Sequence, residues 1–463
     1  MTGIVDWGAY IAVHRLPVAL LANRKVEGGP ERAIAWADED SVTMAVDAAR
    51  NCLKDRARDT IDLLIFASTT HAFAEKQGAA LIATVLGLPK EVRTADIGHS
   101  LRGGAQALLL ADDAVRSGRA RQALVVIADS RMGASGSELE RSGGDAAVAF
   151  LIGSDGVVAR LTGHASHAEE IVDTWRRAGD RFTHSWEDRF TTQYGFLEPS
   201  AAVAAKLPDV ADGTSRLWAT SAPNRRAQGS LGKALKAEPA TLAPGLFDTV
   251  GYCGAAHAPL LLAAALDNAD MGQEIALIAH GDGAEALLFT VDHPRASRAV
   301  ADALADRIPV ASLAAYRRAR KLDATEYPAA DDQGISATIH FRERAEDLRL
   351  QGQRCRCGEP QFPKQRVCIR CGTKDAFAPE DFAERGASLV TYTLDAFFPS
   401  PTPPTAVGIV QVDNGPRIYM QVAGLSKEGP QPGMPLRFAF RRIHDAGQRP
   451  NYFWKALPER NAR

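Results

Sequence analysis

The chain has no basic excess. Its 54 Lys and Arg residues are balanced by 56 Asp and Glu, leaving a formal charge of -2. No surplus of cations exists to neutralise a phosphate backbone, which argues against a nucleic-acid surface. Long apolar runs are missing too: the longest are alanine-rich and fall short of the roughly 20 residues that cross a bilayer. The N-terminal MTGIVDWGAYIAV lacks a basic stretch before its apolar residues and reads as a first strand, not a signal peptide. Low-complexity segments and short repeats are absent. Cysteine is scarce, six in 463 residues, yet four of the six fall between 355 and 371. In the soluble, cytoplasmic protein that these absences predict, such crowding points to metal and not to disulfides.

What is present is ordinary in amount and informative in order. Hydrophobic residues make up 46% and charged residues 24%, globular values in a chain long enough for a large core and an appendage. IDLLIFAS (61–68) and QALVVIADS (122–130) are short β-branched runs suited to strands buried on both faces. Helical stretches such as SVTMAVDAARNCL (41–53) and RGGAQALLLADDAVRSG (102–118) alternate with them, and GGDAAVAFLIG (143–153) is a small-residue strand entered by glycine. From about Val157 the pattern starts again, with RLWATSA (216–222) and EIALIAHGDGAEALLFTV (274–291) around a long helix, AAHAPLLLAAALDNA (255–269). The order predicts a layered α/β region over 1–322, in halves of about 1–156 and 157–322.

Residues 323–339 are polar, contain Pro and Gly, and read as a linker. A short charged helix, HFRERAEDLRLQG, follows, and then Cys355, Cys357, Cys368 and Cys371 in RCRCGEPQFPKQRVCIRCG. Two close pairs across a short loop supply four thiolates to one tetrahedral Zn²⁺, with glycines after Cys357 and Cys371 for the turns. With no open coordination position such a zinc is structural. The first pair is C-x-C where C-x-x-C is expected, so Cys355 is the ligand to discount first. SLVTYTLDAF, AVGIVQVD and RIYMQVAG then alternate polar and apolar residues at period two. A helix and zinc ribbon over 340–376 and a small OB-type barrel over 377–463 are therefore expected.

Residues 1 to about 322 resemble hydroxymethylglutaryl-CoA synthase, within the thiolase superfamily, through GIVDWGAYIAVHRL, ADEDSVTMAVDAARNCL, the GGDAAVAFLIG strand and VGYCGAAHAPLLLAAALDNADMGQEIALIAHGDGAEALLF. Residues 340–463 resemble the rubredoxin-like zinc-ribbon/OB-fold proteins that associate with thiolases and with that synthase, some of them fused to acyl-CoA enzymes. The resemblance implies a duplicated thiolase fold, a CoA thioester as substrate, and pairing through an edge strand, as a homodimer or as a heteromer with a catalytic thiolase.

It also implies four catalytic positions, and here each holds another residue. DIGHSLRGGAQAL (96–108) has the frame of the nucleophile turn of ketoacyl-ACP synthase III and of the synthase, where a strand runs into a cysteine at the start of a buried helix. Matching through Gly103, Ala107 and Leu108 puts Leu101 at the cysteine, and leucine forms no acyl-enzyme. The family's histidine falls on Ser221 in TSAPNRR, its asparagine on Tyr252 in VGYCG, and its acidic residue near Thr69 in FASTTHAF.

Polar groups remain where the resemblance places the cavity: His71, His99, Ser100, Ser221, Tyr252, Cys253 and His257. Ser100 becomes the nucleophile if the frame shifts by one residue. Cys253 is either a relocated thiol or a small core residue. His257, near the start of an alanine-rich helix, is either catalytic or a satisfied histidine. Tyr252 is either an acid or base toward a β-hydroxyl or cavity filling. Gly281 and Gly283 match the loop beside the acyl site, where backbone N–H groups polarise a thioester carbonyl, or form only a tight turn. Three readings follow: a degenerate thiolase-like subunit that acts with a catalytic thiolase through its zinc/OB region; a cysteine-independent retro-aldolase of a β-hydroxyacyl-CoA; and an acyltransferase or synthase with a relocated nucleophile.

Overall fold

Alternation of β-branched runs with alanine-rich helices lays parallel strands beneath helices, and the chain does this twice. The computed structural model describes every residue except 55, 211–213, 324–335, 399, 447–448 and 461–463. Two compact units form: one from Met1–Ala35 and Asp40–Val310, the other from Trp36–Glu39 and Ala311–Arg463.

The first unit is built on nine strands: β1 (Gly3–Ile11), β2 (Ile61–Ala67), β3 (Arg93–Ile97), β4 (Gln122–Asp129), β5 (Ala146–Gly153), β6 (Ala159–Ala168), β7 (Arg216–Thr220), β8 (Glu274–His280) and β9 (Gly283–Val291). They lie in the order β7-β8-β9-β6-β1-β5-β4-β2-β3. Each half pairs its strands in the same way. The first strand runs antiparallel to the last, the last antiparallel to the one before it, and that one parallel to the second: β1·β5, β5·β4 and β4·β2, then β6·β9, β9·β8 and β8·β7. The halves join where β1 meets β6. This repeat is the duplicated α/β architecture expected from the sequence.

The helices are set by their small residues and their caps. α1 (Ser41–Leu53) starts at Asp40, whose Oδ1 accepts from the Thr43 amide at 2.9 Å while Thr43 Oγ1 accepts from the Asp40 amide at 2.8 Å. This reciprocal box is why DEDSVTMA begins a helix there. Every residue of α1 except Arg50 and Asn51 is buried, and each large aliphatic among them contributes about 1.5–3 kcal/mol on leaving water. α2 is Gly103–Arg116, and α3 is His257–Leu266 after one 3₁₀ turn at Gly254–Ala256. All of α3 is buried but Ala264, as expected of a helix that is apolar all round.

In the second unit, helix α4 (Ala337–Arg349) precedes a small sheet of β10 (Gln351–Cys355), β11 (Pro360–Gln361) and β12 (Phe377–Asp381). A closed barrel follows: β13 (Ala387–Asp395), β14 (Thr405–Val412), β15 (Arg417–Val422), β16 (Pro435–Ala446) and β17 (Arg449–Pro458), in the order β13-β14-β15-β17-β16. Phe438, Phe440 and Trp454 fill it. The segment 36–39 belongs to this unit because its carboxylates answer buried cations there. Glu39 Oε1 lies 3.4 Å from Arg441 Nη2, Asp38 Oδ2 lies 2.9 Å from Lys455 Nζ, and Arg442 N donates to Asp38 O at 2.9 Å. The first unit thus ends at Val310 where 322 was expected, and omits residues 36–39. Most of the expected 323–339 linker lies outside the described residues, and α4 begins at 337 where 340 was expected.

Candidate functional site

Polar side chains of the first unit gather beyond the C-terminal ends of the parallel strands β2, β4, β7 and β8, where open α/β sheets place their ligands. Asp129, the last residue of β4, is fully buried. Its Oδ1 accepts from Ser68 Oγ (3.0 Å), Thr69 N (2.7 Å) and Thr70 Oγ1 (2.9 Å), and its Oδ2 from Thr69 Oγ1 (2.9 Å) and Ala255 N (2.8 Å). Thr69 itself supplies no acid. It helps to anchor one that enters from the neighbouring strand, and that carboxylate ties the turn after β2 to the 3₁₀ turn before α3.

Tyr252 is pinned through its backbone. Its N–H donates to Ser142 O at 2.8 Å and its carbonyl accepts from Gly144 N at 3.0 Å. Gly144 is obligatory for this approach, since a β-carbon there would stand 2.0 Å from Val250 O. The phenol ring lies nearly parallel to the His280 ring, 6.0 Å away at 18°, and edge-on to His257 at 5.1 Å. The buried Arg131 guanidinium sits 5.9 Å from the same ring. Tyr252 Oη is enclosed and has no hydrogen-bond partner among the described residues, an arrangement that costs about 1–3 kcal/mol. Burial pushes the phenol well above its ordinary value, against the pull of Arg131 and with the help of Asp173 and Asp129. Tyr252 is therefore an acid that keeps its proton. Asp173 is mostly buried as well, and burial raises its carboxyl above the usual range.

Two histidines flank the tyrosine. His257 Nδ1 accepts from Cys253 N at 3.3 Å, and its enclosed Nε2 lacks a bond of good geometry, although the Gly245 carbonyl favours its charged form. His280 Nδ1 is 2.8 Å from Ser221 Oγ, which also accepts from the His280 amide at 3.2 Å. Burial lowers both rings to about 3, helped at His280 by Arg131 and His257, so both are neutral at ordinary pH. The Cys253 thiol donates to Gly251 O at 3.4 Å, and burial among the Asp145 and Asp129 carboxylates holds it far above its ordinary value. A thiol held this way is a poor nucleophile.

The nucleophile turn faces the β8–β9 turn. Ser100 Oγ donates to Gly281 O at 3.1 Å. Gly281 has φ +144°, and a β-carbon on it would stand 2.8 Å from the Leu101 amide nitrogen. The Gly281 amide donates to Gly283 O at 2.9 Å, so it is spent on the turn instead of being offered to a thioester. His99 is exposed at φ 71°, and His71 packs edge-on to Phe66 at 5.1 Å. Neither has a hydrogen bond, ion pair or ring contact with the tyrosine cluster among the described residues.

The structure therefore brings together Tyr252, Cys253, His257, Ser221 and Thr69, and sets Ser100 and Leu101 beside Gly281. Sequence reasoning missed His280, Asp129, Arg131 and Asp173. Asp129 and His280 did carry a signal, being polar residues that close strands otherwise apolar after their first residue.

In the second unit the ligand atoms of Cys355, Cys357, Cys368 and Cys371 lie within 4.8 Å of one another. Cys355 Sγ is 3.7 Å from Cys371 Sγ, and Cys357 Sγ is 3.7 Å from Cys368 Sγ. A tetrahedron with metal–sulfur bonds of about 2.3 Å has edges of about 3.8 Å, so the four fit one tetrahedral ion. Cys355 belongs to the set despite its short C-x-C spacing. Cys371 Sγ also lies 3.2 Å from Thr373 Oγ1.

No family model matches the chain. The hydroxymethylglutaryl-CoA synthase of Methanocaldococcus jannaschii is 28% identical over 306 residues, covering 63% of this chain and 88% of its own length. That of Pyrococcus horikoshii is 28% identical over 339 residues, covering 69% and 96%. Among solved structures, a hydroxymethylglutaryl-CoA synthase complexed with CoA aligns with a TM-score of 0.61 at 19% identity, over 72% of this chain and 93% of that one. A 3-oxoacyl-(acyl-carrier-protein) synthase III aligns with a TM-score of 0.53 at 18% identity, over 63% and 99%.

Proposed function

We propose that this chain, which is similar to hydroxymethylglutaryl-CoA synthases in sequence and in fold, makes or breaks carbon–carbon bonds in acyl-CoA thioesters without a covalent acyl-enzyme. The observation that carries this is the buried Tyr252 hydroxyl, protonated and unpartnered among the described residues, at the position that the resemblance assigns to the family's asparagine. In the cleavage of a β-hydroxyacyl-CoA, the β-hydroxyl proton passes to Asp173, whose raised carboxyl suits a base. The Cα–Cβ bond breaks, the β-carbon becomes a carbonyl, and the electron pair moves onto the thioester as its enolate. Tyr252 returns a proton to the α-carbon, and the proton on Asp173 restores the phenol. Leu101 then needs no replacement, since no acyl group leaves CoA.

A second reading is favoured by the enclosure of Tyr252 Oη together with the protonated Cys253 thiol. In it the chain is a degenerate subunit beside a catalytic thiolase, paired through β3. That strand ends the sheet and is partly exposed, and an unpaired edge recruits another strand. In both readings the cysteine cluster holds a structural zinc. Incubation with 3-hydroxyacyl-CoA substrates of varied chain length, followed by chromatography for a shortened thioester and a carbonyl product, separates them. Products support the enzyme, and their absence for the chain alone but not for its complex with a thiolase supports the subunit.

A further inference from the structure

We propose that Cys357 and Cys371 form a site of oxidative modification, where a hydroperoxide converts the four metal-binding thiolates into two disulfides, Cys355–Cys371 and Cys357–Cys368, and frees the zinc. The four sulfurs are not equivalent. Cys355 and Cys368 are only 3% and 2% exposed, whereas Cys357 and Cys371 are open to solvent. The backbone sets this difference. In the first turn Cys355 N donates to Glu359 O at 2.9 Å, and Cys355 O accepts from Gly358 N at 2.8 Å. In the second, Cys368 N donates to Thr373 O at 2.9 Å, and Cys368 O accepts from Gly372 N at 3.0 Å. Each buried cysteine is thus the anchored base of a turn, and each exposed one lies within the loop that these bonds close. Gly358 and Gly372, which follow the exposed pair, have positive φ and open space where a β-carbon would stand. A small oxidant reaches both exposed sulfurs directly.

Oxidation of cysteine follows thiolate character and exposure, and a ligating cysteine is a thiolate. Cys52 and Cys253, the other two cysteines, are wholly buried, and burial holds both thiols far above their ordinary value. The ribbon is therefore where the oxidant acts. The Cys371 thiolate attacks the peroxide: an S–O bond forms, the O–O bond breaks, and hydroxide leaves. Cys355 Sγ, 3.7 Å away, then attacks that sulfur. An S–S bond forms, the S–O bond breaks, and a second hydroxide leaves. Two solvent protons turn the hydroxides into water, so the sulfur pair loses two electrons and one peroxide gains them. Cys357 and Cys368, also 3.7 Å apart, consume a second peroxide in the same way. After the first disulfide only two thiolates remain, too few to hold the metal. Both disulfides cross from one turn to the other and tie together what the ion had tied. Exchange with a thiol reductant reopens them, and zinc rebinds.

The test uses the full-length protein loaded with zinc. Brief alkylation with iodoacetamide is expected to mark Cys357 and Cys371 before Cys355 and Cys368, and to leave Cys52 and Cys253 unmarked. Titration with hydrogen peroxide beside a chromogenic zinc chelator is expected to release the metal at close to one equivalent of peroxide per zinc. Peptide mapping without reductant should then find Cys355 joined to Cys371, or Cys357 joined to Cys368. Dithiothreitol with added zinc should restore about one zinc per chain. The double variant Cys357→His, Cys371→His still offers four ligands and should release zinc several-fold more slowly under the same peroxide. Zinc retained through excess peroxide, release with all four cysteines still reduced, or alkylation of Cys355 and Cys368 first overturns the assignment. These readouts on the wild-type chain decide it even where the double variant does not fold.

Discussion

A β-carbon on Gly281 would stand 3.0 Å from the Leu101 β-carbon. The β8–β9 turn is thus pressed onto the residue that takes the nucleophile's place, with no room for any side chain but hydrogen. Gly281→Ala must shift the Leu101 backbone and adopt a positive φ, and it should destabilise the fold by about 1–3 kcal/mol. Denaturant unfolding checks this as a lower midpoint at unchanged slope.

Leu101→Cys is expected to add a thiol without adding synthase turnover. Both nearby histidines have Nδ1 engaged, His257 by Cys253 N and His280 by Ser221, so neither is arranged to take the new thiol's proton on that nitrogen. Assay of thioester condensation in this variant checks it. Substantial turnover from the one change would show that a competent base is present.

Acid should unfold the protein early. His257 and His280 are lowered from 6.5 to about 3 by burial. Below 6.5 the unfolded chain takes up protons that the folded chain refuses, so stability falls from about pH 6.5 down to about pH 3. Across that window the two histidines together cost on the order of several kcal/mol. Melting temperatures between pH 7 and pH 4 should drop steeply in the wild type and less steeply in His257→Gln.

Most of the fold was legible because its long elements repeat strongly in sequence. SVTMAVDAARNCL and GGDAAVAFLIG fall where helix and strand were expected, since one has a capping box and the other is a continuous run of small and apolar residues buried on both faces. The site was legible only in part. Tyr252, Ser221 and His257 stood out because a family frame pointed at them, whereas His280 is one polar residue at the end of an apolar strand, and its partner is fifty-nine positions away. The segment 36–39 was opaque for the same reason. Asp38 and Glu39 read locally as the approach to a helix cap, and only the folded chain shows them answering Lys455 and Arg441.

That pairing is testable. Glu39 and Arg441 are both almost wholly buried, and removing one partner of such a pair leaves a charge uncompensated at a cost of about 3–5 kcal/mol. Glu39→Gln should lower the unfolding transition of the second unit, followed by calorimetry or by the fluorescence of Trp454.

Metal analysis of the purified protein should find about one zinc per chain, as four thiolates normally hold. Cys368→Ser should lose it and disorder the 350–381 region. Freshly prepared protein without zinc would contradict the assignment.

The central claim is carbon–carbon chemistry without an acyl-enzyme, with Tyr252 as the proton donor, and turnover by Tyr252→Phe tests it most directly. Phenylalanine fills nearly the same volume and removes an enclosed, unpartnered hydroxyl, so stability should hold or rise slightly. Cleavage of a 3-hydroxyacyl-CoA that the wild-type protein turns over should fall by about 10²–10⁴-fold, the usual span for a general acid, and intact-mass spectra of both proteins should show no acyl adduct. Full turnover in Tyr252→Phe, or an acyl group found on Ser100 or Cys253, would contradict the account.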